Sequence, residues 1–226
     1  MEKIMVAHSG SRVNAMNTII LASGSPRRKQ LLEWAEVKFE VLVKETPETY
    51  PPGLPTAEVP VYIARNKALA VKAVVDLAER SETLAKGSAT AAIKEATGPD
   101  RVILAADTVV VLGEEIIGKP VDREDAVNIL SRLSGQRHEV ITGVVLLRGE
   151  EELAFYDRTS VWFHPLDRAE LEGYVDRYRP YDKAGAYAIQ EWIGVVGIKG
   201  IEGDFYNVMG LPVSRVVQAL REWGAI

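Results

Sequence analysis

The chain has 226 residues, and 27 Lys+Arg against 32 Asp+Glu leave it at −5. A chain of this length hides roughly 70 % of its extended surface on folding, enough for a domain with a sizeable core, and its 47 % hydrophobic and 26 % charged residues exclude disordered, fibrous and collagen-like classes. The acidic balance argues against a nucleic-acid partner, which would demand many Lys and Arg contacts to phosphate, and the absence of cysteine excludes disulfides, thiolate metal sites and a Cys nucleophile and fits a reducing compartment, the cytoplasm by default.

Residues 1–17 carry charges and His8 but no apolar run of signal-peptide length, and no later stretch reaches the ~18 apolar residues of a membrane span. We read them as a loose extension in front of a single domain over 18–226. Thr18 to Ala22 reads as a short buried strand. Ser23-Gly24-Ser25-Pro26 then turns the chain into a helix, with Ser25 as N-cap and Pro26 in the first helical position. Lys38 to Val43 is the next strand, and Pro47 to Pro60, with its five prolines, is extended loop. From Val61, apolar residues at 64, 68, 71, 75 and 78 mark one face of an amphipathic helix. Ser81 to Asp100 is rich in Ala, Ser, Thr and Gly and is assigned a small surface helix without function.

Arg101 to Leu112 is a β-branched, apolar run of the kind covered on both faces of a sheet. Gly118-Lys119-Pro120 closes the loop after it, and Asp125 to Leu133 forms a helix ended by Gly135. Glu139 to Arg148 and Ala154 to Phe163 pair as a hairpin about Gly149. A helix over Arg168 to Val175, a strand over Tyr187 to Gln190, a Gly-punctuated hairpin arm over Ile193 to Ile201 and a helix over Leu211 to Trp223 complete the chain. This alternation predicts an α/β architecture with a central mixed sheet flanked by helices.

Four constellations could carry chemistry. Ser23, Arg27 and Arg28 surround a strand-to-helix turn. The helix dipole disfavours each arginine there by roughly 0.3–1 kcal/mol unless an anion neutralises it, so free N–H groups, hydroxyls and guanidinium forks together form a phosphate cradle. The alternative is a solvated arginine pair. Asp107 interrupts an otherwise apolar strand. It must be paired, hydrated, bound to a metal or placed at the strand's C-terminal edge beside a cleft, unless local backbone N–H groups or an arginine satisfy it structurally. Glu48, Lys67 and Lys119 lie at element ends and matter only together. Tyr181 to Gln190 brings small residues around Gly185, and the Gln190 amide can both donate and accept at a base edge. No Walker loop, dinucleotide turn, zinc motif or nucleophile elbow occurs. His138 is assigned a structural role, and the four tryptophans are assigned to the core or an interface.

Seven blocks in one order now make a resemblance plain: Ser23-Gly24-Ser25-Pro26-Arg27-Arg28, Ala106-Asp107-Thr108, Gly118-Lys119-Pro120, Leu133-Ser134-Gly135 with His138, Thr142-Gly143-Val144, Asp182 to Tyr187, and Asn207 to Pro212. From Ile19 to about Trp223 the chain resembles the Maf family of septum-formation-inhibitor-like nucleoside triphosphate pyrophosphatases. The resemblance implies a bilobed mixed sheet flanked by helices around a nucleotide cleft, similar to the inosine-triphosphate pyrophosphatases, and a homodimer. It implies Asp107 as proton acceptor, Arg28, Lys67 and Lys119 as phosphate clamps, and Glu48 on an acidic side supported by a divalent cation, Mg²⁺ or Mn²⁺, for which Asp107 and Glu48 are the candidate ligands. Arg27, Thr108 and Gln190 match positions of substrate choice and side with members acting on dTTP and UTP rather than on 7-methyl-GTP. The expected reaction releases a nucleoside monophosphate and pyrophosphate; the alternatives are a non-catalytic nucleotide-binding regulator of cell division and a pyrophosphatase for modified nucleotides. The leader, the segment around 81–98 and Ala188-Ile189-Gln190-Glu191-Trp192, where many members have Gly-Ile-Gln-Gly, depart from the family pattern.

Overall fold

A computed structural model of the chain describes residues 19–84 and 101–226; the leader over 1–17 and most of the segment around 81–98 lie outside them. Seven strands form one mixed sheet: β1 (Ile19–Leu21), β2 (Phe39–Val41), β3 (Ile103–Leu112), β4 (Glu115–Ile117), β5 (Arg137–Arg148), β6 (Glu151–Phe163) and β7 (Ile198–Glu202). Their order is β2-β1-β3-β5-β6-β7, with β4 on β3. β1 lies parallel to both β2 and β3, whereas β3, β5, β6 and β7 run antiparallel in succession.

The helices are α1 (Pro26–Trp34), α2 (Val59–Leu84), α3 (Arg123–Leu133), α4 (Arg168–Tyr178), α5 (Trp192–Val196), α6 (Phe205–Met209) and α7 (Val213–Glu222). α2 is longer at both ends than the periodic run from Val61 indicates, and it includes Ser81 to Leu84. Asp122 caps α3 through its side chain, and Asp167 with Glu170 closes a capping box on α4, so both helix starts are satisfied locally.

Two predicted elements differ. Tyr187 to Gln190 is not a strand but an irregular segment entering a turn. Ile193 to Ile201 splits into α5 and β7 because Gly194 lets the helical turn close against the preceding chain, where a Cβ would stand 1.7 Å from the Ile189 carbonyl oxygen. Trp34 belongs to no core: it is 58 % exposed at the end of α1.

The apolar side chains separate into four clusters, two on each sheet face. On one face Leu104, Ala106 and Val144 pack with α1 and α7, while Val110, Val140 and Phe163 pack with α3 and α4. On the other, Ile103, Ala105 and Val145 meet the middle of α2, and Val109, Val111 and Ile141 meet its first turns. The residues between the halves are Asp107 and Thr108 on β3, paired in register with Gly143 and Thr142 on β5. A polar seam thus crosses both layers.

Candidate active site

β3 is covered unevenly along one edge. β1 pairs with it only at Ile103 and Leu104, and β4 only from Val110 onward. Between them the edge beside Asp107 and Thr108 is left open, just where β1 and β2 end and their following loops diverge. A cavity of about 570 Å³ fills this gap. Ligands gather at such carboxyl ends of parallel strands because the loops separate there. Asp107 therefore sits near the middle of its strand, and the cleft reaches it through the missing neighbour rather than at a C-terminal strand edge.

Successive residues of a strand point to opposite faces, which sends Asp107 and Thr108 to different partners. Asp107 points toward α2, where Lys67 Nζ donates to its Oδ1 at 2.6 Å. This approach depends on Gly143, the cross-strand partner of Asp107: a Cβ there would lie 2.3 Å from the backbone nitrogen of Val61. Lys67 also donates to Glu48 Oε1 at 2.9 Å, and Lys119 donates to Glu48 Oε2 at 2.7 Å. Burial would raise the Glu48 carboxyl, yet the hydrogen bonds from Lys119 and Lys67 outweigh it and hold the group at about 2.

Thr108 faces the other layer and meets Arg28. Ser25 is the N-cap of α1 but its side chain makes no capping bond, and with Pro26 in the first turn the early N–H groups of the helix stay available to the cavity. Arg28 is 9 % exposed, and all three guanidinium nitrogens donate to uncharged oxygens: Nε to the Gly210 carbonyl at 2.8 Å, Nη1 to Ser23 Oγ at 3.1 Å and Nη2 to Thr108 Oγ1 at 3.0 Å. Burial lowers its pKa.

Behind Arg28, Thr142 donates to the Asn207 carbonyl at 3.1 Å, and Thr108 accepts from Arg28 and has two acceptors for its own proton, Thr142 Oγ1 at 2.9 Å and the Gly210 carbonyl at 3.4 Å. The phosphate-cradle residues and the buried acid thus come together from α1, α2, β3 and two loops.

Charge within the cavity runs opposite to that of the whole chain. Six cations, Arg27, Arg28, Lys44, Lys67, Lys119 and Lys183, line it against four carboxylates, Glu45, Glu48, Asp107 and Asp182. Arg27 is tied to Asp182 at 3.2 Å, and Asp182 also meets Lys183 at 2.8 Å. Val110, Val140, Tyr187, Val208 and Met209 add an apolar wall. Such a vessel takes an anion that carries an apolar ring.

Of the residues singled out in the sequence, Ser23, Arg27, Arg28, Glu48, Lys67, Asp107, Thr108 and Lys119 all line this cavity; Gln190 does not. It is exposed in the turn just beyond Ala188, which does line it. Sequence reasoning left out Lys44, Thr46 and Lys183. The first two follow parallel strand β2, a position that by itself signals proximity to a cleft. Lys183 lies two residues before Gly185, whose φ is +70° and where an added Cβ would stand 2.8 Å from Val110, so the loop packs closely against β3.

His138 is structural, as expected: it is 1 % exposed, with Nε2 2.7 Å from the Tyr187 hydroxyl. Among the described residues no group of three or more His, Cys, Asp or Glu could hold a metal ion unaided, and no helix is long and apolar enough to cross a membrane.

Comparison with known proteins agrees with this arrangement. The chain is 47 % identical over 204 residues to the dTTP/UTP pyrophosphatase of Cytophaga hutchinsonii, covering 90 % of this chain and 83 % of that one. It is 42 % identical over 207 residues to the dTTP/UTP pyrophosphatase of Porphyromonas gingivalis W83, covering 91 % and 94 %, and 39 % identical over 206 residues to that of Parabacteroides distasonis, covering 91 % and 95 %. The family model described as Maf-like protein matches residues 18–223, the span that holds the seam, both arginines and the buried acid, and the chain belongs to the Maf family.

Proposed function

We propose that the chain hydrolyses the α–β phosphoanhydride bond of dTTP and UTP, releasing the nucleoside monophosphate and pyrophosphate. The observation that carries this reading is Asp107 itself: a nearly buried carboxylate on the open edge of β3, bonded through Oδ1 to Lys67 and with no partner for Oδ2 among the described residues, facing a cavity whose lining is rich in cations. The names of the relatives support the substrate and the reaction.

In this reading a water attacks the α-phosphorus and gives its proton to Asp107 Oδ2 as the bond to the β-phosphate breaks. Arg28 and the first N–H groups of α1 receive charge on the polyphosphate, with Lys67 and Lys119 on the opposite wall. Arg28 is suited to this because it forms no ion pair with any carboxylate among the described residues and its planar fork is held in place by three acceptors. We assign Arg27 and Thr108 to substrate choice. Thr108 enters as an acceptor, since Thr142 and the Gly210 carbonyl compete for its proton. Gln190, exposed in the turn two residues beyond the cavity-lining Ala188, is assigned to substrate choice with Arg27 and Thr108.

The donor set fits a divalent cation. Asp107 and Glu48 converge on Lys67, and as hard oxygen donors they would hold Mg²⁺ or Mn²⁺ together with phosphate oxygens of the substrate. Bound there, the ion would neutralise triphosphate charge and polarise the α-phosphoryl group. The absence of cysteine supports work in the reducing cytoplasm, and sedimentation would check the homodimer that the family resemblance implies.

A panel of nucleoside triphosphates with Mg²⁺, with products identified, tests the reading. Pyrophosphate from dTTP and UTP is expected, and Asp107→Asn should remove turnover while leaving the circular dichroism unchanged. Saturable binding without product would point instead to a regulator, pyrophosphate only from modified or purine nucleotides would move the specificity, and near-native turnover by Asp107→Asn would remove the proton-acceptor role.

A further inference from the structure

Glu48 is held in a way that its position does not require. It lies on the loop after β2 with its side chain 45 % exposed, yet both carboxylate oxygens are taken, by Lys67 at 2.9 Å and by Lys119 at 2.7 Å. Lys67 comes from α2 and Lys119 from the Gly-Lys-Pro turn after β4, so one carboxylate from a third segment spans two cations that share no other bonded partner among the described residues. A carboxylate bridging two ammonium groups presents the same charge sign and the same pair of acceptor oxygens as two non-bridging oxygens of a phosphoryl group. Among the described residues Arg28 on the facing wall has no such carboxylate bonded to it.

We propose that Glu48 is an internal place-holder for substrate phosphate: in the ligand-free chain it occupies Lys67 and Lys119, and the incoming triphosphate displaces it from both. The proposal rests on the pyrophosphatase reading and goes beyond it by giving the empty site a competing anion of its own. Displacement leaves the Glu48 carboxylate beside a polyanion, where the two repel unless a cation lies between them. Glu48 therefore opposes the binding of bare triphosphate and favours triphosphate that arrives with a divalent cation. The empty site keeps its lysines neutralised by this bridge, and it selects the metal-loaded form of its substrate.

This makes one substitution act with opposite signs under two conditions. Binding of the α,β-imido analogue of dTTP to wild type and Glu48→Gln is measured by calorimetry, first in EDTA and then in excess Mg²⁺. In EDTA the variant should bind about three- to tenfold tighter than wild type, the range expected for freeing two partly exposed ion pairs. In Mg²⁺ that advantage should vanish or reverse, and turnover should fall.

Weaker binding in EDTA would show that Glu48 only ties the two lysines in place, and unchanged binding would show that it serves the cation alone; either result overturns the proposal. Glu48→Ala, which cannot hydrogen-bond to the lysines, must give the same sign. If wild type releases pyrophosphate from dTTP while the EDTA arm shows no gain, the place-holder fails and the activity stands. If wild type releases none, the activity reading fails, and the proposal with it.

Discussion

Replacing Arg28 by Met separates an anion cradle from a structural arginine. The wild-type side chain is buried, and its pKa is lowered by burial, which outweighs the attraction of Asp107 and Glu48 and is reinforced by Arg27. The folded chain thus disfavours the charge it carries there. Met retains most of the length and removes three hydrogen bonds from a charged donor to uncharged oxygens, each contributing roughly 1.5–3 kcal/mol net. Removing a buried charge without a carboxylate partner works the other way, because the desolvation of such an ion costs several kcal/mol. The two nearly cancel, so stability should change by less than about 2 kcal/mol, a melting shift below ~8 °C for a chain of this size.

Binding has no such compensation. A guanidinium that meets a phosphate in a desolvated site is worth about 2–5 kcal/mol when truncated, or roughly 30- to 5,000-fold in affinity. Thermal melts and calorimetry with the α,β-imido analogue read the two quantities separately. Arg28→Lys, which keeps the charge but not the fork, should fall between them in binding. A loss of more than about 4 kcal/mol in stability, or native affinity in the Met variant, would refute the argument.

Two further outcomes follow from the same geometry. Gly143→Ala places a Cβ 2.3 Å from Val61 nitrogen; it should cost about 1–3 kcal/mol by overpacking, and by lifting α2 it should part Lys67 from Asp107, so that turnover falls more steeply than the melting temperature. A variant with native turnover would break that link. Burial lowers the His138 pKa from 6.5 to about 4, so between those values the unfolded chain binds a proton that the folded chain does not. Stability then falls as the pH drops, by about 2 kcal/mol from pH 7 to pH 5, and His138→Gln should flatten chemical-denaturation midpoints over that range; parallel curves for both proteins would assign the pH dependence elsewhere.

The layered α/β plan was legible because its long elements carry strong patterns: α2 in its three-four spacing, β3 in an apolar run broken only at Asp107 and Thr108, and the β5–β6 hairpin in paired strands about Gly149. The short elements were not. α5 and β7 share a Gly-punctuated stretch whose form is set by contact with Ile189 and pairing with β6, neither of which lies in the local sequence.

The site was legible residue by residue wherever a polar group broke a local rule, as Asp107 does in its strand and Arg27 and Arg28 do at a helix start. Glu48, Lys67 and Lys119 broke no local rule; the family resemblance singled them out, and the meeting of three distant segments shows why they belong together. Lys183 and the Thr142–Thr108 chain stayed silent for the same reason. Gln190 shows the reverse: its amide has the right chemistry, yet the turn holds it outside the cavity lining.

The seam has a mechanical consequence. β3 and β5 run without interruption from one half of the core to the other, paired in register from Ile103–Leu147 to Val111–Glu139, so the cleft is a notch cut in a continuous beam rather than the gap of a pair of jaws. Large opening of the two halves would shear nine consecutive strand pairs. The frame therefore keeps acid and guanidinium at constant separation, and any adjustment to a nucleotide falls to segments outside those pairs, among them the two that bear Glu48 and Lys119.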